Sequence, residues 1–139
     1  MAKILSQKDK IFKLSYYDNI LTLKILELKF DDESIDILIN SLDCFHKWCQ
    51  TNNTYFYSLI DLRDAHLINV HNYIYYSPQI IRYINSQETF LDKYLYGIIY
   101  IINNNTVKKI LTNMISYIKL VSPVKIILKN EEVDFTFAH

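Results

Sequence analysis

Apolar and polar residues alternate from Lys10 to Tyr17, with Phe12, Leu14 and Tyr16 on one side and Lys13 and Ser15 on the other. That period of two predicts a half-buried strand. Asp18-Asn19 follows, a pair that tolerates left-handed backbone and so suits a hairpin turn. Ile20 to Phe30 continues as a second strand, with a helix as the competing reading. Its phase slips where Leu21, Leu23 and Ile25 give way to Leu26, Leu28 and Phe30, as a bulge or burial of both faces would produce. The acidic stretch Asp31 to Ser34 then suits the positive end of a helix. Ile35, Leu38, Ile39, Leu42, Phe45 and Cys49 recur at helical spacing, predicting a helix over 34–50.

Three short apolar runs follow: Tyr55 to Leu62, Leu95 to Ile102 and Val124 to Leu128. Each is bounded by turn-formers and reads as a buried strand. Between the first two, Val70, Ile74, Ser77, Ile81 and Ile84 form a helical stripe. The helix either starts at Pro78 or runs from about residue 70 through it. Val107, Ile110, Leu111, Met114 and Ile118 predict another helix, capped by Asn105 or Thr106 and stopped at Ser122-Pro123. Val133, Phe135 and Phe137 alternate like one more strand, a helix being the alternative for the tail. Buried strands alternating with helices predict an α/β fold in a single domain, 1–139, with its core at about 10–129. The expected sheet is mixed: an antiparallel N-terminal hairpin, parallel central strands and helices packed on it.

Composition narrows the chemistry. Gly97 is the only glycine, which excludes every glycine-rich phosphate cradle and the nucleophile elbow. Fifteen basic residues balance fifteen acidic ones, so no specific nucleic-acid partner is expected. The richness in Ile, Asn, Lys and Tyr is that of AT-rich coding sequence, found in some large DNA viruses and some low-GC microbes. The longest apolar run, Tyr94 to Ile102, is well short of the ~20 residues that span a bilayer. With no secretory signal visible, an intracellular, cytoplasmic protein without a transmembrane segment is expected. Cys44 and Cys49 face different sides of their helix, and with His46 they match no zinc spacing; no metal and no cofactor are expected.

The central piece is Tyr57-Ser58-Leu59-Ile60-Asp61-Leu62-Arg63-Asp64-Ala65. An antiparallel opening pair, a helix, and then a buried strand ending in Asp-Leu before an irregular turn resembles the STAS domain and the related SpoIIAA-like domains. Those share features with lipid-binding CRAL-TRIO (SEC14) domains. The family's anti-sigma antagonists carry Asp-Ser-Ser/Thr-Gly at the second helix start, where the hydroxyl is phosphorylated. The matching stretch here, Asn69-Val70-His71-Asn72, has neither hydroxyl nor glycine, so that phosphoswitch is not expected. The resemblance implies a non-enzymatic interaction module that binds a protein partner or its own copy. The alternative it implies is a carrier of a small apolar or lipid-like ligand.

Ligands of open α/β sheets bind beyond the carboxyl ends of the strands. Two such ends are polar here. One carries Asp61, Arg63, Asp64, His66, His71 and Asn72; the other carries Asn103, Asn104, Asn105 and Thr106. These are the candidate ligand- or partner-binding residues. An enzyme would use His66 or His71 as base, oriented by Asp61 or Asp64, but no nucleophile is marked and no activity is expected. His46 and Trp48 are expected on the solvent-facing or flanking side of their helix. Tyr73, Tyr75, Tyr76, Tyr83, Tyr94, Tyr96 and Tyr100 crowd into 73–100, a residue type suited to an interface or the mouth of an apolar pocket.

Overall fold

The computed structural model describes residues 5–8, 11–26, 31–64 and 70–137, with side chains at 11–26, 31–64 and 78–137. Its strands are β1 (Leu5–Lys8), β2 (Phe12–Tyr17), β3 (Ile20–Ile25), β4 (Phe56–Asp61), β5 (Leu95–Ile102) and β6 (Val124–Leu128). Its helices are α1 (Asp32–Asn52), α2 (Val70–Ser86), α3 (Glu88–Tyr94) and α4 (Asn105–Ile115). The fold is α/β. The six strands lie in sequence order across one sheet, antiparallel from β1 to β3 and parallel from β3 to β6.

The β2–β3 hairpin turns at Asp18 and Asn19, both at positive φ (52° and 63°), the backbone that a two-residue turn needs to match strand twist. The hairpin tip also seeds the parallel half. Asn19 Nδ2 donates to the Tyr55 carbonyl at 2.9 Å, and Tyr57 N–H donates to the Asn19 carbonyl at 2.8 Å. The phase slip after Ile25 needs no bulge, because β3 ends there.

Each parallel step moves one strand further across the sheet through a helical connection, so right-handed crossovers stack the helices on one face. Strand alternation then sorts the core. Phe12, Leu14 and Tyr16 of β2, Phe56 of β4, and Ile98, Tyr100 and Ile102 of β5 meet Ile35, Leu38, Phe45 and Cys49 of α1, Phe90 and Leu91 of α3, and Leu111 of α4. The opposite face carries a second apolar cluster on the β4–β6 side. There Ile99, Ile101 and Ile127, with Leu59, are covered by Phe135 and Phe137 from the tail. Gly97 makes this possible: a Cβ at this position would stand 2.3 Å from Phe137 Cε2.

Several expectations are corrected. The tail to Phe137 is neither strand nor helix, although its alternation does place Phe135 and Phe137 on the sheet. β1 completes the sheet ahead of the expected hairpin. Of the two readings of 70–86, the helix that runs from about residue 70 through Pro78 is the one observed, and a separate short helix, α3, follows it. α4 is capped one residue earlier than expected, by Asn104, whose side chain accepts from Val107 N–H at 3.0 Å. α4 ends at Ile115, ahead of Ser122-Pro123. In β6, Ile127 alone is buried, as befits an edge strand.

Candidate functional site

At the carboxyl edge, β4 and β5 are neighbours, so the two polar strand ends share one rim. Asp61 closes β4 and is 5 % exposed. Arg63 wraps back on it. Asp61 Oδ1 accepts from Arg63 N–H and Nε, both at 3.0 Å, and Oδ2 accepts from Nη2 at 2.8 Å. Burial alone would raise the pKa of Asp61; the side-chain and backbone bonds from Arg63, with its charge, outweigh that and hold the carboxyl below its ordinary range. Asn103 Nδ2 donates to the Arg63 carbonyl and ties the two strand ends together. Lys24, in register beside Asp61, lies 3.4 Å from exposed Asp64.

Both Asp61 oxygens are thus engaged by Arg63. The rim is a clasp that fixes the turn leaving β4. Asn104 is spent on the α4 cap, while Asn105 and Thr106 are exposed on its first turn. His66 lies outside the described residues, and His71 and Asn72 lie on α2 without described side chains. Among the described residues no three His, Cys, Asp or Glu gather as metal ligands, and Cys44 and Cys49 are free thiols.

A second feature lies between the sheet and the helices: a partly enclosed cavity of about 180 Å³. Its floor is the helix-facing row of β3, β4 and β5, including Leu21, Leu23, Ser58, Ile60 and Ile98. Its roof is Leu38, Leu42 and His46 of α1, Ile80, Ile81 and Ile84 of α2, and Leu111 and Ile115 of α4. Leu21, Leu38, His46 and Ile98 are buried, while Leu23, Ser58, Ile60, the α2 lining and Ile115 are half-buried, so the space is open in part to its surroundings. Asn85 ties α2 to the segment after α4, donating to the Tyr117 carbonyl at 3.1 Å and accepting from Lys119 N–H at 2.8 Å.

Among the described residues no Lys, Arg, Asp or Glu lines the cavity. Its polar groups are His46, Ser58, Tyr83 and Tyr100. His46 is buried, 6 % exposed, which corrects the expected solvent-facing placement. It follows Phe45 in the stripe of α1 and packs against the Phe90 ring at 4.4 Å. His46 Nδ1 lies 3.2 Å from Gln87 Oε1 and 3.1 Å from the Tyr83 hydroxyl. Burial lowers the His46 pKa to about 4, against smaller opposing effects of Gln87 and Asp43, so the imidazole is neutral at pH 7. Trp48 is half-buried against Tyr16 and the core.

Unfilled space of this kind is expensive. At ~24 cal/mol per Å³, a hollow of this volume costs a protein about 4 kcal/mol relative to a filled core, a large part of the ~5–15 kcal/mol that holds a domain folded. An apolar guest of matching size recovers that cost. The sequence signals for this site were two: Ser58 in the middle of an apolar strand, and His46 within an apolar stripe. Compared with protein-family models, with curated proteins and with solved structures, the chain finds no match.

Proposed function

We propose that this chain is a non-enzymatic binding protein whose cavity takes a small apolar molecule or a short apolar segment of a lipid-like one. The observation that carries this reading is the cavity of about 180 Å³, lined among the described residues almost wholly by Leu, Ile and aromatic side chains and by no charged one. A ~150 Å³ apolar cavity already admits benzene, so this one suits a substituted ring or a short alkyl segment. Among the described residues, Asp61 is held by Arg63 and His46 is buried and neutral, so neither is set up as half of a general acid–base pair.

Native mass spectrometry of freshly purified protein, with thermal unfolding in toluene, tests this. A co-purifying small molecule, or a melting temperature that climbs with toluene concentration, is expected. Ile98→Phe, which fills the floor, should abolish the toluene response while the protein stays folded. No bound mass and no response in the natural sequence would overturn the reading.

A second reading, a STAS-like interaction module, is supported by the opening antiparallel strands, α1 and a central strand ending in Asp61-Leu62. It is also supported by aromatic surface. Tyr55 and Tyr96 are 44 % and 48 % exposed and stack at 4.5 Å, with Tyr57 edge-on to Tyr96 at 6.2 Å. Exposed tyrosines of this kind suit a protein partner or a second copy. Light scattering of the natural chain and of Tyr55→Ser/Tyr96→Ser tests it; a monomer in both, with no partner retained, counts against it. An intracellular setting, in keeping with two free thiols, belongs to either reading.

A further inference from the structure

The chemistry of the cavity wall says more about its guest than its size does. Ser58 projects from the middle of β4, with Leu21 and Ile98 as its cross-strand neighbours on either side. Its hydroxyl lines the cavity and has no side-chain hydrogen-bond partner among the described residues. Ser58 is half-buried, and its hydroxyl faces otherwise apolar surroundings, where a hydrogen bond to a guest is stronger than in open water. Across the space, the Gln87 oxygen and the Tyr83 hydroxyl both lie within hydrogen-bond distance of His46 Nδ1; a proton on Nδ1 satisfies the Gln87 oxygen, and in that tautomer Nε2 keeps a lone pair. No described residue takes up that lone pair. With no charged side chain on the wall among the described residues, a carboxylate or ammonium guest would meet no counter-charge there.

We propose that the guest is a neutral, phenol-sized molecule with one hydroxyl on an apolar body, the hydroxyl bonding to Ser58. This rests on the cavity reading above. Ser58 can donate or accept, and an alcohol or phenol matches it in either role. His46 Nε2 offers a second acceptor for a guest that donates in the other direction.

Toluene and phenol are nearly isosteric and differ in the group at issue, so calorimetric titration of the natural chain and of Ser58→Ala with both tests the proposal. Phenol affinity should fall about threefold to tenfold in Ser58→Ala, the range of one hydrogen bond, while toluene affinity holds or rises. Benzoate should bind neither protein. An unchanged ratio of phenol to toluene affinity, or benzoate binding tighter than phenol, would overturn the hydroxyl assignment and leave the cavity reading standing. If neither toluene nor phenol binds the natural chain, the cavity reading falls and this one with it.

Discussion

Gly97→Ala should loosen the tail through its contact with Phe137. The added methyl would stand 2.3, 2.5 and 3.0 Å from three ring carbons, where carbon atoms rest at ~3.5–4.0 Å, so the ring must retreat by more than about 1 Å. Phe137 sits on an irregular segment, so the tail gives way before β5 does. The ring stacks parallel to Tyr57, with centroids 6.2 Å apart, and Lys125 Nζ lies 4.8 Å above it. Such contacts contribute ~0.5–1.5 and ~0.5–1 kcal/mol, and partial burial of the ring adds about 1 kcal/mol. Against this, alanine in a strand gains ~0.5–1 kcal/mol over glycine. The expected net effect is a loss of ~1–3 kcal/mol. In a Phe137→Ala background the collision is gone, and Gly97→Ala should become neutral or stabilising. Urea unfolding of the four proteins in this cycle gives a coupling of about 2 kcal/mol if the socket is real. Additive effects, with coupling under ~0.5 kcal/mol, would refute it.

Other outcomes follow from the charges and caps. His46 titrates near pH 4 when folded and near 6.5 when unfolded, so the unfolded chain binds the extra proton as pH falls through that window; roughly 3 kcal/mol of stability should be lost between pH 6.5 and 4, and His46→Gln should flatten that slope in urea unfolding. Asp61 is held below its ordinary pKa, so its contribution is present above about pH 4 and is lost as pH falls further; Asp61→Asn should cost ~1 kcal/mol at pH 7, discounted for the half-exposed Arg63, with a gap that closes in acid. A gap that stays constant with pH would show that charge is not what the clasp supplies. Asn104→Ala should remove the α4 cap and cost ~1 kcal/mol, with faster amide exchange in the first turn of that helix; unchanged exchange would contradict the cap.

Local pattern carried most of the architecture. The β2–β3 hairpin was legible because Phe12, Leu14 and Tyr16 alternate into a turn of two residues that accept positive φ. α1, β4, β5 and β6 were legible because each has its own stripe or apolar run. β1 was not, because Leu5–Lys8 is short and mostly polar and owes its strand to the ladder with β2. The α4 cap was ambiguous because Asn103, Asn104 and Asn105 can each cap; Asn103 is drawn off to the Arg63 carbonyl. Gly97 read only as the lack of a phosphate loop, since its partner Phe137 is distant in sequence. The cavity was invisible for a stronger reason: it is a mismatch of volume among residues from four strands and four helices, and no segment encodes it alone.

Xenon enters dry apolar cavities and reports them without assuming a ligand. A crystal of this protein held under xenon pressure should show the gas between the sheet and the helices, over the floor formed by Leu21, Ser58 and Ile98. Side chains closed over that floor, with no xenon between the two layers, would contradict the account.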